Sequence, residues 1–132
     1  MKPLRHIAIL LLLTLCVAGC HTDKQTLALI DHAEQIVKEY PDSAYNILSA
    51  IDPDRLRTTH DRMHHGLIGC EVLYYKRENI GIDSLTRPLY DYYLDSDLHS
   101  ERARAMYQHA MVNYCENNNA DYRGGKVVKF CG

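Results

Sequence analysis

The chain is predicted to be all-α behind a cleavable leader, on three observations. Beyond residue 26, apolar residues recur at three- and four-residue steps in five segments. Prolines, glycines and asparagines fall between those segments, and nothing before the C-terminal tail alternates apolar with polar residues as a half-buried strand does. Five helices joined by short turns form antiparallel pairs.

The leader comes first. Lys2 and Arg5 precede an apolar run from Ile7 to Val17, broken only by Thr14. Crossing roughly 30 Å of hydrocarbon takes about 20 apolar residues, so the run reads as a secretory signal rather than a spanning helix. Val17-Ala18-Gly19-Cys20 closes it, with cleavage expected between Gly19 and Cys20. The expected organisation is a signal peptide over 1–19, a tether over 20–26, a helical domain over 27–119 and an irregular tail over 120–132.

Leu27, Ile30, Ala33, Val37 and Tyr40 mark one face of the first helix, with Asp23 as its N-cap. Pro41 disfavours helical geometry at Tyr40 and ends it, and Asp42 or Ser43 is expected to cap the second helix. Ala44, Ile47, Leu48 and Ile51 stripe that second helix, and Asp52-Pro53-Asp54 interrupts the pattern. A longer helix follows from Leu56 or Thr58 to Arg77, striped by Met63, Leu67, Cys70 and Tyr74. Gly66 and Gly69 fall inside it, where each costs about 1 kcal/mol against alanine; close approach of a neighbouring helix is the expected reason for both.

Asn79 to Ile82 reads as a turn, and Asp83 or Ser84 caps a fourth helix carrying Leu85, Leu89, Tyr92 and Tyr93. Pro88 is expected near its first turn, where the missing amide does least harm. Ser100 opens a fifth helix with Ala103, Met106, Ala110 and Tyr114 as its apolar face, ended by Asn117-Asn118-Asn119. Ala120-Asp121-Tyr122 then starts like another helix, Gly124-Gly125 stops it, and Lys126 to Gly132 is strand-like. A hairpin without its second helix suggests a shortened chain.

Composition narrows the function classes. Removing residues 1–19 leaves 113 of 132, enough for one small domain. The 15 basic residues fall to 13 without Lys2 and Arg5, against 17 acidic ones, a net charge near −4. No basic stripe remains, so nucleic acid is not an expected partner. Of the 5 cysteines, Cys16 leaves with the leader. A Cys70 to Cys115 bridge with Cys131 left over competes with the simpler reading, in which these are small apolar residues packed in helices.

A cysteine directly after Val17-Ala18-Gly19 resembles the lipobox of bacterial lipoproteins. The resemblance implies that Cys20 becomes the mature N-terminus and carries acyl chains, whose methylenes at about 0.8 kcal/mol each make a lasting bilayer anchor. An ordinary cleavage with an incidental cysteine is the alternative. Three further stretches resemble the tetratricopeptide-type lipoproteins of Bacteroides-type bacteria: Tyr40-Pro-Asp-Ser-Ala-Tyr-Asn-Ile-Leu-Ser-Ala-Ile-Asp52, Ile82-Asp-Ser-Leu-Thr-Arg-Pro-Leu-Tyr-Asp-Tyr-Tyr93 and Arg104-Ala-Met-Tyr-Gln-His-Ala-Met-Val-Asn-Tyr114. Together with the helices between them they span most of the mature chain. The family implies helical hairpins stacked as a degenerate repeat array, with Ala110 at the position of a small packing residue. It departs from the strict motif in lacking 34-residue self-similarity and tryptophan.

Candidate chemistry is sparse. His60-Asp61-Arg62-Met63-His64 places two imidazoles at i and i+4, a zinc-ligand spacing, but carries Asp61 where the hydrolase motif has glutamate. Glu71 and Glu78 would be further ligands only from the same helix. The competing reading makes His60, His64 and His65 solvent-facing. No nucleophile has an identifiable base and no glycine-rich phosphate loop follows a strand, so no enzyme and no cofactor are expected. Among the 10 tyrosines, Tyr74, Tyr75, Tyr90, Tyr92 and Tyr93 either line a groove for peptide or glycan or belong to the core, where about half of the tyrosines are expected.

The expected protein is a lipoprotein of the cell envelope, held by acylated Cys20 to a bacterial membrane, the outer one favoured over the inner. Its helical domain is an interaction or sensory scaffold for a protein or peptide. The alternatives are a metal-binding or metal-dependent hydrolase lipoprotein using His60 and His64, or a non-functional fragment of a longer regulator.

Overall fold

The computed structural model describes residues 5–7, 9, 21–77 and 83–121. Among them are five α-helices and no strand: α1 Lys24–Ile36, α2 Pro41–Ser49, α3 Thr59–Tyr75, α4 Asp83–Leu94 and α5 His99–Asp121, with a 3-10 turn at Pro53–Arg55. The all-α expectation holds. No helix among the described residues is long and apolar enough to cross a membrane. The turn expected at Asn79 to Ile82, the cleavage site at Gly19 and Cys20, and the tail beyond residue 121 lie outside the described residues.

Local chemistry sets the helix ends. Asp23 caps α1, accepting from the Thr26 amide at 2.9 Å and the Thr26 hydroxyl at 2.8 Å. The helix stops at Ile36, earlier than its apolar pattern suggested, because Tyr40 precedes Pro41 and takes φ −132°, ψ 62°. Tyr40 is exposed instead of extending the buried stripe. Neither Asp42 nor Ser43 is the cap of α2. Pro41 itself takes the first helical position, where its missing amide would have had no partner, and Asp42 sits in the first turn. Thr58 caps α3 by accepting from the Asp61 amide at 3.0 Å.

Residues 21–26 are not a free tether. The Thr22 hydroxyl donates to Asp61 and accepts from the Arg57 amide, Thr22 and Thr26 are buried, and Asp23 pairs with Arg55 at 3.1 Å. Thr22 is thus part of the folded unit.

Each helix packs on the next in sequence, and α1 also meets α3, as α3 meets α5. Ile30, Ala33, Val37, Ala44, Leu48, Ile51, Leu56, Ile68 and Val72 form one core between α1, α2 and α3. Leu67, Cys70, Leu89, Tyr93 and Ala105 form a second between α3, α4 and α5. The predicted stripe on α3 captured Leu67 and Cys70 but missed Ile68 and Val72, because this helix is buried on two sides.

Gly66 does meet a close neighbour: an added Cβ would lie 3.3 Å from Leu89 Cδ2. Gly69 does not, since a Cβ there would meet nothing within 4 Å. Pro88 lies inside α4 rather than near its first turn, so the Ser84 carbonyl loses its usual i+4 donor. Among the described tyrosines Tyr93 is fully buried, Tyr74, Tyr90 and Tyr92 are half-buried and the others are exposed, close to the expected half in the core.

The apolar face assigned to α5 is reversed. Ala103, Met106, Ala110 and Tyr114 are exposed, whereas Ala105, Gln108 and Val112 are buried. Glu101, Arg104 and Gln108 make the buried side read as polar, which is why the sequence pattern pointed to the other side. The helix also begins at His99 and continues through Asn117-Asn118-Asn119 to Asp121, past the expected boundary at 119. Asparagine is a weak helix former, costing at most about 0.7 kcal/mol per residue, and no proline or glycine stands in that stretch to stop propagation. Cys70 is a free, buried thiol, and burial followed by the nearby Glu71 charge pushes it up to about 11. The Cys70 to Cys115 bridge is therefore not formed, although Cys115 is itself disulfide-bonded.

Candidate functional site

Because α1, α3 and α5 lie side by side, their facing surfaces enclose a groove of about 510 Å³. Glu34 reaches it from α1 and Lys38 from the turn after it, Glu71, Tyr74 and Tyr75 from α3, and Arg104, Tyr107 and Gln108 from α5. Arg104 anchors it. Its Nε and Nη2 donate to the two Glu71 oxygens at 2.6 Å each, and its Nη1 donates to Glu34 Oε1. A two-pronged guanidinium bond of this kind fixes orientation as well as charge. One side chain thereby ties together three helices from both cores.

The ionisation of the cluster follows from these contacts. Burial pushes the Glu34 carboxyl up, but the hydrogen bond and charge of Arg104, with a further pull from His64, hold it below the usual glutamate value. The hydrogen bonds to Glu71 outweigh burial and push the Arg104 guanidinium further up, so it stays cationic.

The groove wall is aromatic. Tyr74 and Tyr107 hydroxyls meet at 3.1 Å with their rings edge-on, 5.9 Å between centroids, and Tyr75 stands edge-on to Tyr74 at 5.3 Å. The bond to Tyr74 raises the Tyr107 hydroxyl above its ordinary value. Such rings offer apolar area with a hydroxyl at the rim, a combination suited to peptide contact. Gln108 is buried at the groove, and its Oε1 has no hydrogen-bond partner.

The histidine motif is divided among separate contacts. His60 is exposed, with its Nδ1 3.5 Å from the Tyr92 hydroxyl. Contrary to the solvent-facing reading, His64 and His65 are half-buried: His64 Nε2 lies 3.1 Å from Glu34 Oε2, and His65 Nε2 lies 3.2 Å from the Leu48 carbonyl. Asp61 is turned to Thr22 and the start of α3. Glu71 is held by Arg104, and Glu78 lies outside the described residues. Sequence reasoning missed Glu34 and Arg104. Their only signal was a pair of charges at positions flanking the apolar stripes of α1 and α5.

These features define an all-helical protein with an aromatic groove over a partly buried ion-pair cluster. Comparison with family models, with curated proteins and with solved structures gave no match.

Proposed function

We propose that this chain is a lipid-anchored helical-repeat protein of the bacterial envelope whose groove binds a protein or peptide. The observation that carries the reading is that α1 touches α3 and α3 touches α5, around a groove rimmed by Tyr74, Tyr75 and Tyr107. Stacked helical hairpins present their first helices in this way, as a continuous recognition surface. The apolar residues on both sides of α5 fit the same reading, since a helix within a stack packs on two neighbours. The anchor rests on the Val17-Ala18-Gly19-Cys20 motif.

Two measurements test it. A photo-crosslinking amino acid at Tyr107, with the same probe at exposed Tyr45 on α2 as control, should give a discrete protein adduct in the envelope only from the groove position; equal or absent adducts overturn the groove. Metabolic labelling with a palmitate analogue should mark the wild-type chain in the membrane fraction and leave Cys20→Ala unlabelled. A labelled Cys20→Ala removes the anchor.

A further inference from the structure

We infer that Asp31, Glu34 and His64 form a binding site for a divalent transition-metal ion, zinc foremost, between α1 and α3. Asp31 and Glu34 are three residues apart on α1 and share a face of that helix, and His64 faces them from α3. One ligand atom from each lies within 4.8 Å of the other two. Two donors at about 2.0–2.1 Å from one tetrahedral zinc stand roughly 3.3 Å apart. The His64 Nε2 to Glu34 Oε2 separation of 3.1 Å already matches that spacing. Asp31 is exposed and can swing in to supply the third donor.

The surroundings support ligation. Glu34 spends Oε1 on Arg104 and turns Oε2 to His64, so Arg104 orients the carboxylate as outer partners of metal ligands do. Glu71 balances the charge of Arg104, which leaves the two carboxylates of Asp31 and Glu34 to offset a divalent cation. An imidazole with two carboxylates is a donor set that zinc accepts, and three protein ligands leave the fourth position to water. His60 is outside the set: its ring centre is 6.0 Å from that of His64, and it is turned to Tyr92. The site thus differs from the i, i+4 histidine pair suggested by the sequence.

The test is calorimetric titration of the metal-stripped full-length protein with Zn²⁺, repeated with Co²⁺, whose visible bands report tetrahedral ligation. Wild type should bind one equivalent that His64→Ala and Asp31→Asn each weaken by about tenfold or more. His60→Ala should stay within about twofold of wild type by the same comparison. Asp31 is exposed, so Asp31→Asn should keep the helical circular dichroism of wild type and report binding alone. Affinity unchanged by Asp31→Asn and His64→Ala overturns the site, as does an equal loss in His60→Ala, which would return the metal to the histidine pair.

Discussion

The space between α1, α2 and α3 is filled by isoleucine, valine, leucine and alanine, whereas that between α3, α4 and α5 holds Tyr93 and Cys70 beside Leu67, Leu89 and Ala105. Buried Tyr93 Oη has no hydrogen-bond partner and belongs to the second region, and Gln108 Oε1, equally without a partner, lies at the groove. An unpaired buried polar atom costs about 1–3 kcal/mol, and Pro88 takes a further bond from α4. The first region is therefore held by apolar burial, and the second combines burial with an unpaired hydroxyl and an interrupted helix. The helix they share, α3, carries Ile68 and Val72 toward one and Leu67 and Cys70 toward the other.

The largest expected effect tests that asymmetry. Ile68→Ala should cost about 2–5 kcal/mol in denaturant unfolding, with Leu89→Ala at the low end of that range. Equal losses would make the two regions energetically alike. Arg104→Met should cost about 2 kcal/mol, because it strands Glu71 and Glu34 in partly buried positions and cuts the tie between the regions. Hydrogen exchange should then show α5 opening independently of α1; continued joint opening would show that α3 alone couples them.

Tyr93→Phe removes a buried hydroxyl that has no partner and should stabilise the protein by about 1 kcal/mol, whereas a loss would reveal a hidden partner for that hydroxyl. The smallest effect concerns acid. Burial raises the Asp61 carboxyl, but hydrogen bonds from Thr22 and Thr58 more than offset it and leave a value below the ordinary 3.8. Because the folded value is depressed, this contribution is complete above pH about 3.8 and is lost as pH falls through the folded value. Hydrogen exchange at the Thr22 to Asp61 junction should accelerate only below that pH, and acceleration already at pH 5 would exclude Asp61 as the cause.

Helix existence was legible in the sequence wherever one face is apolar, as in α1 and α2, where Ile30, Ala33, Ala44 and Leu48 are buried as expected. It misled where a helix is buried on two sides or buries polar residues. On α5 the Arg104 side chain lies inward because Glu34 and Glu71 await it on other helices, a partnership that no local period can encode. The groove was half legible for the same reason, Tyr74 and Tyr75 standing out in the sequence while Glu34 and Arg104 did not. Of the inferred metal site only His64 stood out, since Asp31 and Glu34 are 30 or more residues away in sequence.

The hydrogen bonds of Thr22 also govern how an acylated chain would stand. One residue, His21, separates Cys20 from Thr22, so two steps of chain give a reach of about 7 Å at full extension, comparable to the depth of the headgroup layer. With Cys20 embedded as proposed, the N-terminal ends of α1 and α3 would be held close to the bilayer. Glu71 lies ten residues beyond Asp61 along α3, about 15 Å higher. The groove would then stand about 15 Å beyond the anchored end, within reach of whatever passes above the membrane.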